Sequence, residues 1–409
     1  MPEFNILYTA LLIGGVLAFV MGVVAYLILA ERKVSAWVQD RRGPNRVGPF
    51  GLLQPLADGG KMFLKEDVIP SHVDRIFFLL APIVAFSTSL LAIAVVPVGG
   101  TKAPPPPAGN LAEFEKLQSE YQHAFSAVLV PGLDVGILYV FAIGSLAVYG
   151  VILAGWSANN KYSLLGSLRS SAQIISYEIP LGLSVVGVLL FCGSLNLETV
   201  VAWQQAHGWN VWFQPLAFLL FMTSVYAECN RLPFDLPEAE QQLVGGYHTE
   251  YSNSMKLGLM LLAEYAHMIT TSFLMAIVFW GGWAFFGLEK ITDSPLWATL
   301  IKTAILMAKM FAFVFLYLLI RWTIPRFRFD QLMTLAWKTM IPLALANLVG
   351  AMAVRQYGLS PWGMTLVSLG LFVLAGAISV RTNSSITAPK RRVVSLPPGL
   401  PAGVTYASR

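Results

Sequence analysis

The sequence contains few cysteines and few histidines for its 409 residues. The two cysteines, Cys192 and Cys229, lie in separate apolar runs, and the five histidines are scattered. No spacing among these residues is typical of a zinc site or of an iron–sulfur cluster. We therefore predict no metal site. If the chain takes part in redox chemistry, its electrons must come from another subunit.

Charged residues are also scarce, at 12% of the chain against about 25% in an average soluble domain. Hydrophobic residues make up 56%, so the sequence predicts an all-α, polytopic membrane protein. The first apolar run is followed by charged residues rather than by a cleavage site, and we expect a retained helix there instead of a signal peptide. Nine apolar runs approach the roughly 20 residues that a helix needs to cross a bilayer: 5–30, 76–97, 133–155, 172–193, 211–230, 255–287, 299–321, 338–354 and 361–380.

Basic residues are unevenly distributed among the predicted loops. Residues 31–75 contain eight lysines and arginines, and the positive-inside rule places this loop in the cytoplasm. If the loops then alternate, most other basic residues fall on the same side. Nine spans bring the basic tail to that side, whereas eight would leave it outside. We predict an N-terminus outside, a cytoplasmic C-terminus, and a net charge of +5 that signals topology rather than nucleic-acid binding.

The predicted organisation is one transmembrane helical domain over residues 1–380, followed by a basic cytoplasmic tail over residues 381–409. The cytoplasmic loop 31–75 should contain a surface helix near 51–66, with Leu52, Leu56 and Phe63 on one face. An acidic loop is predicted at 231–253. Short surface helices are also predicted within the outer segment 98–131 and at 197–207.

Acidic residues occur where apolar residues are expected. A carboxylate at the centre of a membrane helix costs about 2.5–3.5 kcal/mol. Acids that are not matched by lysines therefore indicate a path for protons or cations. The alternative interpretation is that these acids form buried hydrogen bonds or ion pairs that hold helices together. His267 shares a helix face with Glu264. The acids in predicted helices are Glu178, near the cytoplasmic end of the fourth, Glu228, at the end of the fifth, and Glu264, in the sixth. Asp235, Glu238, Glu240 and Glu250 lie in the connecting loop, which is either a solvated connection or a partly buried, mobile part of the same path.

Several basic residues are candidates to accompany these acids. Lys309 lies in the middle of the seventh predicted span, where it serves either a structural ion pair or the path itself. Arg321, Arg326 and Arg328 either pair with the acids of the 231–253 loop or only mark topology.

Four blocks of sequence resemble the H-subunit family of the bacterial proton-pumping NADH–quinone oxidoreductase, respiratory complex I. They are ERKVSAWVQDRRGPNRVGPFGLLQPLADGGKMFLKED, SLRSSAQIISYEIPLGLSVV, AECNRLPFDLPEAEQQLVGGYHTEYSNSMKLGLMLLAEY and RWTIPRFRFDQLMTLAWKTMIPLALAN. The blocks span residues 31 to 347, and the ninth helix and the tail lie beyond the eight-helix core of this family.

The resemblance implies a membrane subunit that forms the chamber and entrance for a quinone substrate, ubiquinone or menaquinone, and an acidic proton passage. It implies location in the bacterial inner membrane and contact with peripheral-arm subunits and with small membrane subunits that lead to antiporter-like ones. FMN and iron–sulfur clusters belong to partners, and the chain alone should have no activity. The implied chamber residues are Glu31, Arg32, Arg41 and Asp58. The implied passage residues are Glu178, Glu228, Glu238, Glu240, Glu250 and Glu264, with Arg321 and Arg326 beside them. We add Asp235 to the predicted passage because it lies in the same acidic loop.

Two other interpretations remain at this point. A stand-alone ion or solute transporter would explain the intramembrane acids, although not the basic loop with its surface helix. The equivalent subunit of a membrane-bound hydrogenase complex shares the general scheme, but the LPFDLPEAE block favours the NADH-linked or closely related quinone enzymes.

Overall fold

The structure, a computed structural model, describes residues 6–97, 134–236, 243–251, 255–285, 287 and 295–384. These parts of the chain form helices and turns, with no β-strand among them. The helices are α1 (Ile6–Val38), α2 (Gln54–Leu64), α3 (Arg75–Leu91), α4 (Gly136–Ser157), α5 (Lys161–Cys192), α6 (Leu197–His207), α7 (Pro215–Glu228), α8 (Met255–Phe279), α9 (Pro295–Thr323), α10 (Phe329–Gln356) and α11 (Trp362–Ser384).

The membrane-spanning helices agree with the prediction. Seven helices within the described ranges are long and apolar enough to cross a bilayer, namely α1, α3, α4, α5, α8, α9 and α10. Two shorter apolar helices, α7 and the first part of α11, correspond to the fifth and ninth predicted runs. The prediction of an all-α, polytopic membrane protein is therefore confirmed.

Several helix boundaries differ from those of the apolar runs. Helix α1 continues to Val38, so the first residues of the predicted 31–75 loop are helical. Helix α5 begins at Lys161, where the side chain of Asn160 accepts a hydrogen bond from the backbone N–H of Tyr162. The apolar run shows only the second half of this helix, because its first three turns are rich in serine. Glu178 consequently lies in the middle of α5, and its predicted place near the cytoplasmic end was wrong.

Two other spans are irregular. The fifth run contains a short helix, Asn210–Phe213, before α7 begins at Pro215. Helix α10 is longer than the run predicted at 338–354, and its segment Leu335–Met340 is a π-helix. Pro342, two residues after this segment, has no N–H to donate, so the regular α-helical hydrogen-bond pattern is interrupted there.

Of the predicted surface helices, one is confirmed, one is buried on one face, and one lies outside the described residues. Helix α2 lies where it was predicted, and Leu56 and Phe63 are exposed on it. Helix α6 is present, but its surface location was wrong, because one face is buried against α8 and Gln204 donates a hydrogen bond of 2.8 Å to the carbonyl of Ile277. The helix predicted within 98–131 lies outside the described residues, as do 385–409 of the predicted tail.

Helix α8 is the centre of the bundle. It packs against α1, α3, α6, α7 and α9. In its most apolar stretch 72% of the residues are buried, compared with 22% in that of α1. Helix α3 packs on α4, and α5 packs on α4, α7 and α10, while α11 covers α10. An acidic side chain on α8 therefore faces other helices rather than lipid.

Candidate functional site

A cavity of about 800 Å³ lies between α1, α2, α8 and the end of α9. We refer to it as the chamber. Apolar side chains such as Met21, Ile28 and Leu262 form much of its wall, and polar groups converge at one end. The four residues predicted for a quinone chamber, Glu31, Arg32, Arg41 and Asp58, all line this cavity, together with Arg231, Glu264, Tyr265 and Arg321.

Glu31 is the central polar residue of the chamber wall. Its side chain is buried and contacts two arginines: Arg231 at 3.1 Å between Nη1 and Oε2, and Arg321 through Oε1. The Tyr265 hydroxyl donates a hydrogen bond of 2.6 Å to Oε2, and the Arg231 guanidinium lies over the Tyr265 ring at 4.1 Å. We call these four residues the Glu31 cluster. One carboxylate between two guanidinium groups leaves this end of the chamber positively charged.

Among the remaining chamber residues, one ion pair joins α1 to α2. Arg32 and Asp58 form an ion pair of 2.7 Å, and Gln54 donates a hydrogen bond of 2.8 Å to the other oxygen of Asp58. Arg41 donates to the side chain of Gln39 at 2.7 Å. The Arg32–Asp58 pair is half exposed on the arginine side, so it is screened by solvent more strongly than the Glu31 cluster.

A second, smaller cavity of about 60 Å³ lies deeper in the bundle, and we call it the inner cavity. Glu264 lines both the inner cavity and the chamber, and it accepts a hydrogen bond of 3.0 Å from the Tyr247 hydroxyl. Glu228 and His267 also line the inner cavity, with 3.3 Å between Oε1 and Nε2. The same pair lines a third void of about 10 Å³ with Thr270. The three spaces therefore follow one another through shared side chains.

Helix α4 contacts two of the predicted passage acids at adjacent positions. Ser145 donates a hydrogen bond to Oε1 of Glu178. Gly144 faces Glu228, because a Cβ at this glycine would lie 3.2 Å from Oε1 of Glu228. Glu178 lines none of the three spaces in the part of the chain that is described.

Asp235 and Arg326 form one of the predicted acid–base pairs of the 231–253 loop. Their side chains are 2.8 Å apart, and Asp235 is buried. Arg321 binds Glu31 of α1, a partner that the sequence did not indicate. Glu238 and Glu240 lie outside the described residues.

Glu250 lies near the surface, on the side predicted to be cytoplasmic. Asn160 donates a hydrogen bond of 2.6 Å to Oε1, and Nε2 of His72 is 3.5 Å from Oε2. The neighbouring Tyr251 stacks on Phe78 at 4.0 Å and donates to its carbonyl. Burial raises the pKa of the Tyr251 hydroxyl, so it stays protonated and keeps this donor.

Lys309 is bound to the backbone. Its Nζ donates hydrogen bonds to the carbonyls of Trp280, Gly282 and Ala284 at 2.6, 2.8 and 2.6 Å, and it lies 4.7 Å from the centre of the Trp209 ring. These contacts hold the turn that follows α8 against α9. They favour a structural role for Lys309.

The sequence did not identify several residues that complete the site. Tyr265 follows Glu264 in the LLAEY block, so the predicted acid beside it could have indicated Tyr265 as well. Tyr247, Ser145 and His72 reach their acidic partners only through the packing of distant segments, and no local pattern marks them. Among the described residues, no group of three histidine, cysteine, aspartate or glutamate side chains is arranged to hold a metal ion.

Gly144 gives a direct test of the geometry at Glu228. We expect Gly144→Ala to displace the Glu228 carboxylate, because the added methyl group is closer than an ordinary contact. If Glu228 carries protons as the sequence predicts, a displacement that costs about 1 kcal/mol would lower the rate of that transfer about fivefold. The measurement is the rate of the reaction that the resemblance implies, quinone-dependent NADH oxidation by the assembled complex. Gly182→Ala is the control, since nothing lies within 4 Å of its Cβ position, and equal effects of the two changes would contradict the assignment.

Comparison with known proteins identifies the family. A sequence model of the family described as NADH dehydrogenase matches residues 11–352. The chain is 44% identical to H-subunit 1 of the NADH-quinone oxidoreductase of Cytophaga hutchinsonii, over 85% of this chain and 96% of that protein. It is 48% identical to H-subunit 2 of the enzyme of Koribacter versatilis, over 80% and 90%, and 45% identical to the H-subunit of Thermomicrobium roseum, over 86% and 98%. The chain therefore belongs to the NADH dehydrogenase family, which contains the membrane H-subunits of NADH–quinone oxidoreductase, as its sequence blocks indicated.

Proposed function

We propose that this chain forms the quinone chamber of a NADH–quinone oxidoreductase and the first part of its proton passage. The observation that carries this proposal is the position of Glu264, which lines both the chamber and the inner cavity. A change of charge in the chamber therefore acts directly on a group of the passage. The names of the relatives favour this enzyme over a hydrogenase complex and over a stand-alone transporter.

The chamber has the size and composition expected of a quinone site. Ligand pockets of about 300–1,000 Å³ are usually apolar with a few convergent polar groups, and the chamber holds about 800 Å³. Its apolar wall suits a ring and its isoprenoid tail. The Glu31 cluster offers arginine N–H groups as hydrogen-bond donors for a quinone carbonyl. Ubiquinone and menaquinone both present such carbonyls, and either would reach the chamber from the bilayer past α1, α2 and α8.

Reduction of the quinone links the chamber to the passage. Quinone takes two electrons, supplied by an iron–sulfur cluster of a partner subunit, and two protons to become quinol. The intermediate negative charge attracts protons and changes the proton affinity of nearby carboxylates. Glu264 responds first, and protons then move through the inner cavity to Glu228 and His267. Tyr247 connects the 243–251 loop to Glu264, so this loop is the element that we expect to move with the change.

The proposed function also implies the membrane, the orientation and the partner subunits of the chain. We place it in the cytoplasmic membrane of a bacterium, with the N-terminus outside and the C-terminus in the cytoplasm. The peripheral-arm subunits that carry FMN and the iron–sulfur clusters would contact the cytoplasmic side, near Asp58 and Glu250. Small membrane subunits would continue the passage toward antiporter-like subunits. Residues 1–380 would act as one helical domain, and helix α11 extends slightly beyond it, to Ser384.

Charge-neutral changes of the passage acids test the proposal. In the assembled complex in liposomes, Glu264→Gln and Glu228→Gln should lower the number of protons pumped per NADH oxidised, because glutamine has no proton to relay. NADH oxidation by a hydrophilic artificial acceptor should not change, since it does not use the chamber. Glu66→Gln, at an exposed position in the loop after α2, is the control. An unchanged proton-to-electron ratio in both passage variants would refute the proposed passage.

A further inference from the structure

Three buried side chains meet where α7, α8 and α9 pack together. They belong to Cys229, directly after α7, to Thr271 of α8 and to Tyr317 of α9, and their exposed fractions are 2%, 3% and 3%. The Tyr317 hydroxyl lies 3.3 Å from Oγ1 of Thr271 and 3.9 Å from Sγ of Cys229, and those two atoms are 3.6 Å apart. Cys229 lines the inner cavity and Thr271 lines the third void, so this group, which we call the Tyr317 cluster, borders both spaces.

The other hydrogen bonds of Thr271 indicate the direction of its contact with Tyr317. A threonine hydroxyl has one proton to donate, and Oγ1 of Thr271 donates to the carbonyls of His267 and Met268, at 3.0 and 3.1 Å. Because this proton is directed to the backbone of α8, the Thr271 oxygen accepts from the Tyr317 hydroxyl. The hydrogen bond therefore joins α9 to the turn of α8 that begins at His267.

The Tyr317 cluster is next to both members of the Glu228–His267 pair. Cys229 follows Glu228 directly in the chain, and Thr271 lies one helical turn after His267 and is bonded to its carbonyl. A shift of Thr271 relative to Cys229 would therefore change the separation of Glu228 and His267, which is 3.3 Å between Oε1 and Nε2. Tyr317 contacts both Thr271 and Cys229, so its position controls this separation.

The ring of Tyr317 is held independently of its hydroxyl. It stacks on the ring of Tyr226 of α7, with 4.0 Å between the centroids and 27° between the planes. The Tyr226 hydroxyl is buried and has no hydrogen-bond partner among the described residues. The two tyrosines therefore share one ring stack, but the hydroxyl of Tyr317 alone belongs to the cluster.

Helix α9 is itself anchored one turn after Tyr317. Arg321, four residues later and on the same side of the helix, binds the buried Glu31 of α1. Tyr317 is thus held at its ring by Tyr226 and at its backbone by the neighbouring turn. A side chain that is held at both ends presents its hydroxyl at a defined place, and the groups that bind this hydroxyl are placed by it.

We propose that Tyr317 is a positioning residue for the Glu228–His267 pair. Its hydroxyl holds Thr271 of α8 beside Cys229 at the end of α7, and it thereby keeps the carboxylate and the imidazole at the separation that proton transfer between them requires. Tyr317 does not itself carry the proton. This inference rests on the proposed function, which gives Glu228 and His267 their place in the passage.

Tyr317→Phe tests the inference, because it removes the hydroxyl and keeps the ring stack. At equal amounts of assembled complex in liposomes, it should lower the rate of proton pumping at saturating quinone about fivefold, as a barrier higher by about 1 kcal/mol would do. The KM for quinone should not change, since Tyr317 is not among the described residues that line the chamber. Tyr226→Phe is the matched control, because it removes a buried hydroxyl from the same stack and should leave both quantities unchanged.

Thr271 provides a second test of the same hydrogen bond. Thr271→Val keeps the shape of the side chain and removes the oxygen that accepts from Tyr317, so it should lower the pumping rate as Tyr317→Phe does. Thr271→Ser keeps this oxygen and should retain most of the rate. Because the two harmful changes remove one shared interaction, the double variant of Tyr317→Phe and Thr271→Val should pump about as fast as either single variant.

The outcomes separate this inference from the proposed function. If Glu228→Gln lowers pumping while Tyr317→Phe pumps as the unchanged protein does, the positioning role is refuted and the passage stands. Equal losses in Tyr317→Phe and Tyr226→Phe, or additive losses in the double variant, would assign the effect to packing and would also refute the role. If Glu228→Gln leaves the number of protons pumped per NADH unchanged, the passage through Glu228 is refuted, and the positioning role is refuted with it.

Discussion

Replacement of Glu31 by alanine should abolish most of the quinone-dependent NADH oxidation of the assembled complex. The change leaves Arg231 and Arg321 facing each other without their shared carboxylate, and it removes the acceptor of the Tyr265 hydroxyl. Removing one partner of a buried ion pair costs about 3–5 kcal/mol, because the remaining charge stays buried and unpaired. The two guanidinium groups would separate, and both the positive end of the chamber and its link between α1, α8 and α9 would be lost.

The Arg32–Asp58 pair provides a control within the same chamber. Asp58→Asn also removes a carboxylate from an arginine, but Arg32 is 49% exposed, and exposed pairs contribute about 0–1 kcal/mol. Thermal dissociation of the purified complex and quinone reductase activity should both be affected much more by Glu31→Ala than by Asp58→Asn. Equal losses of stability would show that the Glu31 cluster contributes no more than a surface pair.

Replacement of Lys309 by methionine should strongly reduce the amount of folded subunit in the membrane. Methionine fills a similar volume but leaves the carbonyls of Trp280, Gly282 and Ala284 without the donor that Nζ supplies. Each buried acceptor left without a partner costs about 1–3 kcal/mol. The chain that follows α8 would then lose its attachment to α9.

Lys302→Met is the matched control for this prediction. Lys302 lies two turns earlier in α9 and is partly exposed. The measurements are the level of the subunit in membranes and the melting temperature of the purified complex. A normal level of Lys309→Met with reduced pumping would contradict the structural role, because it would place Lys309 in the proton path.

The sequence predicted the membrane helices because apolar length is a local property. It misplaced their ends where polar residues continue a helix, as in the serine-rich start of α5, and it therefore placed Glu178 incorrectly. The presence of Glu228 and Glu264 among apolar residues was visible for the same local reason. Their partners were not, since the contact of Glu228 with His267 joins different helices. Backbone carbonyls as the ligands of Lys309 leave no sequence pattern at all.

In the Glu31 cluster, too, the sequence indicated the acidic residue but not its partners. Its carboxylate was predicted to line the chamber from a matching sequence block, and the structure places it on the wall of the large cavity. The sequence left open whether Arg321 pairs with the acids of the 231–253 loop or only marks topology. Arg321 binds Glu31 instead, because the ends of α1 and α9 are adjacent on α8, and that adjacency is a property of the whole bundle.

Because Glu264 forms part of the wall of two cavities, its substitution should alter the proposed quinone site and the proposed relay at the same time. Changes in the affinity for quinone and in the number of protons pumped per NADH would therefore both result from the loss of this one carboxylate. Glu228 lines the inner cavity and the third void but, among the described residues, not the chamber, so its substitution should act on the proposed relay alone. A difference between kinetic measurements at these two glutamates would then identify the step at which electron transfer is coupled to proton movement.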